Sequence, residues 1–370
     1  MKKTLAAIAV LGAFAGSAMA ADVTLYGVVD TGLRYTNSQT TATGKDKVDS
    51  DTLAMQTGQR AGNRFGLKGT EDLGNGLVVG FNLENGYNED DGTLGQSGRL
   101  FGREAVLYVQ GAFGEIGFGR TGALDAGTGR YNLDGSKATP FGNGWSDTTN
   151  DKKVFLGKND RMDNTITYKT PTFAGVTLYA QASLKRDSKE TEDLDGTKAV
   201  AGREGSSDAN RYYAIGATYK AGALAAGVIA SQNDWSRYTV GNKGDEAVAV
   251  EAYVNYDFGM IKPMLAVQYF DQGVEGKYDG YGVVAGFSAP VLGGKTFVQA
   301  GYADADVIKY EGAEDQYKVM QVSAGYEYAL SKRTVVYAAA GYMQQKTEAA
   351  DNTEKKVKTT EVLFGMTHTF

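Results

Sequence analysis

After residue 22, side-chain polarity in this 370-residue chain changes at every second position, in one short segment after another. In the first segment Val23, Leu25, Gly27, Val29, Leu33 and Tyr35 share one parity, and Thr24, Tyr26, Asp30 and Arg34 the other. Successive side chains of a strand point to opposite faces, so this is a strand with one apolar and one polar face. Val248, Val250, Ala252, Val254 and Tyr256 alternate in the same way with Glu251, Tyr253 and Asn255. Sixteen such segments lie near 22–36, 53–70, 76–87, 99–112, 114–121, 161–170, 175–186, 209–221, 223–234, 246–257, 260–271, 278–288, 295–304, 317–330, 333–347 and 356–370. Seven short turns alternate with eight longer polar loops, the longest of them the third, 122–160. That rhythm predicts an all-β fold, an even, up-and-down antiparallel barrel with its long loops on one side.

The first twenty residues follow another rule. Lys2 and Lys3 precede an apolar run over 5–16 and then Ala18-Met19-Ala20. This predicts a secretory signal peptide over 1–20, cleaved between Ala20 and Ala21. Its apolar run is too short to span a bilayer, which takes ~20 residues. The remaining 21–370 are read as one unit carrying a net charge of −8, since two of the lysines in the full chain's −6 lie in the leader. No later apolar run is long enough for a membrane helix. If the chain crosses a membrane it crosses with strands, and a closed barrel is then the arrangement that pairs every backbone group.

Composition agrees with a barrel better than with a soluble sandwich. The apolar face is rich in Tyr and Ala rather than in bulky core residues, and the polar face carries charge, Thr and Gly. Tyr35, Tyr168, Tyr256, Tyr269 and Tyr302 fall near strand ends, where aromatic girdles sit. The mean hydropathy of −0.34 averages a lipid face with a wet one. Sixteen strands enclose a water-filled channel. The 50 glycines suit strands that bend around a wall.

Several chemistries are set aside. There is no Cys for a disulfide or thiolate metal site, and the single imidazole, His368, has lipid-face parity. No catalytic residue, cofactor or metal is therefore expected. The acidic balance gives no footprint for nucleic acid. Gly117-Phe-Gly-Arg-Thr-Gly122 has dinucleotide-site spacing but no helix after it. The acidic stretches 88–92 and 192–196 lack EF-hand spacing and read as solvated loops, with weak divalent bridging to lipopolysaccharide as the other reading.

Val23–Leu33, Asn63–Leu77, Phe81–Gly86, Phe113–Arg120, Asn164–Pro171, Leu330–Thr334 and Gly365–Phe370 together resemble the Gram-negative general diffusion porins, and best the neisserial and other β-proteobacterial type. The resemblance implies a homotrimer of 16-stranded transmembrane barrels in the outer membrane. Each would be a water-filled channel for passive diffusion of small hydrophilic solutes and ions. It implies that the third external loop folds inward, and that Phe370 is read by barrel-assembly machinery. It also implies a constriction where wall arginines face loop carboxylates. By motif, Arg64, Arg120 and Arg161 match the wall cluster, and Arg34 and Arg60 share lumen parity. Arg120 has the parity of Ile116 and Phe118, so it needs a bulge at Gly119 to reach the lumen. The loop reads Thr139-Pro-Phe-Gly-Asn143, without the glutamate of the enterobacterial pattern. Asp125, Asp134 and Asp147 remain as candidate carboxylates. Poorly compensated arginines favour anions, against the acidic external loops. The alternative is a sugar-specific porin with a slide of Tyr26, Tyr108, Tyr179, Tyr212 and Tyr253.

Overall fold

The computed structural model describes residues 23–188, 191–194, 197–200, 204–205, 209–235, 246–309 and 311–370. The leader, its cleavage point at Ala20 and Ala21, and the side chains of 192–196 lie outside the described residues. The strands are β1 (Thr24–Ala42), β2 (Val48–Thr57), β3 (Arg64–Gly74), β4 (Leu77–Gly86), β5 (Glu104–Gly111), β6 (Gly114–Gly122), β7 (Arg161–Lys169), β8 (Val176–Ser183), β9 (Thr191–Leu194), β10 (Thr197–Val200), β11 (Arg211–Ala221), β12 (Leu224–Asp234), β13 (Ala247–Tyr256), β14 (Lys262–Asp271), β15 (Tyr278–Val291), β16 (Gly294–Val307), β17 (Asp315–Ala329), β18 (Thr334–Glu348) and β19 (Glu354–Thr369). Neighbours in sequence pair antiparallel around a single sheet, while β9 and β10 form a separate hairpin inside a loop.

The sheet closes on itself. β1 pairs with β19 from Val28↔Thr369 to Ala42↔Lys355. Phe370 completes the seam, exchanging backbone hydrogen bonds with Gly27 at 3.1 Å in both directions. Closure matters because each unpaired backbone group left in hydrocarbon costs several kcal/mol.

β2 and β3 both pair with β1 and together make one wall position, so the barrel has sixteen. The segment expected over 53–70 is thus broken at 58–63. Thr57 stands opposite Thr31 and Arg64 opposite Val28, so six residues bulge against Val29 and Asp30. Asp30 holds the bulge. Its carboxylate accepts from the backbone N–H of Arg60 and Ala61, and its own N–H donates to Asn63. β1 and β2 also extend farther than expected, to Ala42 and from Val48, with their ladder reaching Thr40↔Val48, which shortens the first loop. The wall is uneven in height: β5 to β8 have eight or nine residues, β15 to β19 fourteen to sixteen.

The two parities separate as alternation requires. On β14, Leu265, Val267 and Tyr269 are exposed on the outside, while Met264, Ala266 and Gln268 are buried within. Exposed Tyr168 and Tyr256 lie at the short-turn end, and Tyr35, Tyr269 and Tyr302 toward the long-loop end, giving two belts. No helix among the described residues is long and apolar enough to cross a membrane. The outer face of the barrel supplies the apolar band instead. Val267→Arg, near the middle of that band, should destabilise the barrel by roughly 2–4 kcal/mol in a bilayer. Denaturant unfolding in vesicles checks this, and an unchanged midpoint would deny Val267 a lipid contact.

Candidate functional site

The interior is occupied by the chain between β6 and β7. This loop carries apolar side chains at Leu124, Tyr131, Leu133, Phe141, Trp145, Val154 and Phe155, all buried. They settle on three parts of the wall. Leu124, Tyr131 and Leu133 pack on Val106, Tyr108, Met162, Tyr212, Ala214 and Ile229. Phe141 and Trp145 cross to Phe297, Tyr337, Ala339 and Leu363. Val154 and Phe155 return to Tyr253, Ala266, Val284, Ala303 and Val319. The third long loop is therefore folded inward. Glycines on the wall make room for it: a Cβ on Gly117 would meet the Tyr131 hydroxyl, and one on Gly282 the Val154 carbonyl.

Polar ties fix the backbone of the loop. Glu361 accepts from the N–H and hydroxyl of Thr148, at 3.2 and 2.8 Å. Gln321 donates to the Asn150 carbonyl at 2.7 Å and Asn255 to that of Lys137 at 2.8 Å. The Trp145 N–H donates to the Gln59 carbonyl, so the 58–63 bulge is a docking point for the loop. Inside the loop, Lys158 is buried with Asp134 at 2.5 Å and Asp151 at 2.9 Å. Burial alone would lower the Lys158 ammonium. Asp134, Asp151 and the nearby Glu251 outweigh it and hold the group above the usual lysine range.

The loop leaves a gap along β3, β4 and β5. A cavity of about 640 Å3 lies there between Thr128–Arg130 and a wall of Tyr26, Arg64, Lys68, Asn82, Glu84 and Glu104. Arg103 donates to Glu84 at 2.6 Å, and Arg64 is 4.0 Å from the same carboxylate. Arg161 bonds the Arg103 carbonyl and the Thr128 hydroxyl, both at 3.1 Å, and its carboxylate partner is the exposed Asp160 at 3.2 Å. Arg120 pairs with Asp163 at 2.5 Å, and Arg99 with the same group at 3.4 Å. On the loop, Arg130 grips Glu115 with two bonds of 2.6 and 2.8 Å and lies over the Tyr108 ring.

The sequence-predicted residues divide. Arg64, Arg120 and Arg161 come together. The ladder between β6 and β7 shifts register between Gly119 and Thr121, with Gly119 at φ 127°, and this bulge turns Arg120 to Asp163. Arg34 and Arg60 lie elsewhere on the wall, paired with Glu361 at 3.6 Å and Glu327 at 2.7 Å. The three loop aspartates do not face the arginines. Asp125 is buried against Ser231 and Asn159, and that burial pushes its carboxyl up. Asp134 is enclosed with Lys158, and Asp147 is paired with Lys153 at 3.4 Å. Each finds a nearer partner than the arginines, and a buried charge is held where it is paired. The carboxylates that do face the arginines, Glu84, Glu104 and Asp163, come from the wall, where their lumen parity was a usable signal. Arg99 and Arg103 escaped notice because the strand expected over 99–112 gives them the outward parity of Leu107, whereas β5 begins only at Glu104 and both lie before it.

Comparison with known proteins follows the same lines. The family model described as Gram-negative porin matches residues 5–348. The chain is 31% identical to an outer membrane porin protein of Bordetella pertussis over the whole of both chains. It is 32% identical to outer membrane porin protein 32 of Delftia acidovorans, over 94% of this chain and 90% of that one. Among solved structures it resembles the anion-selective porin from Comamonas acidovorans, with a TM-score of 0.66 and 26% identity over 95% of this chain and 100% of that one.

Proposed function

The chain belongs to the Gram-negative porin family, and from that premise we propose that the arginine-lined gap is its selectivity-determining constriction, with a preference for anions. The protein is an outer-membrane porin, a water-filled channel for passive diffusion of small hydrophilic solutes and ions. A pore selects by radius and by the charges at its narrowest point. One observation carries the proposal: Arg64 and Arg103 share Glu84, and Arg161 has only the exposed Asp160. The loop carboxylates that could have balanced them are turned away. The likeness to an anion-selective porin points the same way.

The sugar-specific alternative loses its slide, since Tyr212 is covered by the loop and the Tyr108 ring by Arg130. The reading further includes a signal peptide over 1–20, a mature barrel over 21–370 and a homotrimer. It includes lipopolysaccharide as a neighbour, and recognition of Phe370 by assembly machinery. No catalytic role is proposed for any residue. The test is the zero-current potential in a KCl gradient across a planar bilayer. Anion preference gives the sign set by chloride, and the opposite sign refutes it.

A further inference from the structure

The arginines at the constriction have carboxylate partners, but a second group of cations in the lumen has none. Lys220, Lys262 and Lys295 sit at the short-turn ends of β11, β14 and β16, on the lumen parity. Lys137 hangs from the inserted loop beside them, its backbone carbonyl held by Asn255. Lys137, Lys220 and Lys262 line a cavity of about 810 Å3 with Tyr179, Tyr253 and Asn255. Lys295 and Lys220 are within electrostatic reach of Lys262, and Asp257 is the one carboxylate on the cavity wall. Among the described residues none of the four lysines forms an ion pair; the paired lysines are others.

The four ammonium groups, most of them open to the water of the lumen, outnumber Asp257 on the cavity wall and Asp134 near Lys137, and they lower the free energy of an anion placed among them. Ammonium groups are compact point charges without the planar fork of arginine, so they select by charge rather than by shape. We propose that this mouth of the channel is a second binding site, distinct from the arginine gap, for small solutes carrying two or more anionic oxygens. The inference rests on the pore reading. One arm of the site belongs to the inserted loop and three to the wall, so a bound anion bridges the two. A monovalent anion satisfies at most one ammonium and passes. A multivalent one is held long enough to interrupt the chloride current.

The test is current block in a planar bilayer, with citrate, pyrophosphate or acetate added to one chamber at a time at fixed ionic strength. Citrate or pyrophosphate should block from one side only, with acetate ineffective. Block by citrate alone assigns the site to polycarboxylates, and by pyrophosphate alone to phosphates. Combined Lys220→Gln, Lys262→Gln and Lys295→Gln should raise the half-blocking concentration roughly tenfold, and the three Lys→Arg changes should keep the block. Equal block from both sides, or block that survives the triple Gln variant, overturns the site while leaving the pore reading intact. Absence of any channel removes both.

Discussion

Replacing Lys158 with methionine should release the inserted loop and leave a wider, noisier channel. The ammonium is enclosed with Asp134 and Asp151, whose side chains are fully buried, and Glu251 lies close by. Removing one partner of a buried pair strands the others, at a cost of roughly 3–5 kcal/mol. The apolar anchors at Val154 and Phe155 flank this site, so the return limb of the loop should detach first. Single-channel conductance should rise and fluctuate, and the exclusion limit for sugars in liposome swelling should move to larger molecules. Adding Asp134→Asn and Asp151→Asn to the variant removes the stranded charges and should restore much of the original conductance. A double-mutant comparison of this kind separates the ion pair from simple loss of a side chain. The same pairing sets a pH expectation. The folded-state pKa of Lys158 is raised, so its contribution is complete below the ordinary lysine value, declines as pH rises past it and is gone above the raised one. Conductance should therefore hold at pH near 10, about where a free lysine begins to lose its proton.

The second large effect is expected at the arginines. Arg64→Gln, Arg103→Gln and Arg161→Gln together should turn the channel from chloride preference toward potassium. A unit charge at about 4 Å contributes about 1 kcal/mol even in bulk water, and more beside a protein wall. Three such charges removed should change the chloride-to-potassium permeability ratio by about tenfold or more. Glu84 and Glu104 on its wall would then dominate the gap, while Asp163 stays paired with Arg120. Arg34→Gln with Arg60→Gln is the contrasting pair. Both residues are matched by their own glutamates away from the gap, so their loss should shift selectivity much less. Equal shifts from the two sets would mean that selectivity is spread along the lumen rather than set at the gap.

The wall was legible in the sequence, and its exceptions were not. Strict alternation on β13, β14 and β17 follows from the requirement that every second side chain face lipid, so parity alone sorts those strands. Parity fails where the ladder slips. Residues 58–63 continue an acceptable polar pattern while bulging against Asp30, and nothing local announces that the inserted loop will dock there. At Gly119 the reverse held: the awkward parity of Arg120 called for a bulge, and the ladder shifts at that point. The inward fold of the third loop came from family resemblance, although Leu124, Leu133, Val154 and Phe155 in a supposedly solvated segment were a physical hint. So were wall glycines such as Gly117 and Gly282, which serve the approach of the loop as well as the curvature of the wall. The loop aspartates were misassigned for a simpler reason. Which partner neutralises Asp134 depends on how the loop folds back on itself, and that is a three-dimensional fact.

The central claim is a water-filled barrel narrowed by its own third loop. Single-channel recording of the purified protein in a planar bilayer tests it most directly. The account predicts discrete, ohmic steps on the nanosiemens scale that need no energy source. A protein inserted in the bilayer that gives no such steps, or conducts only when driven, would contradict it.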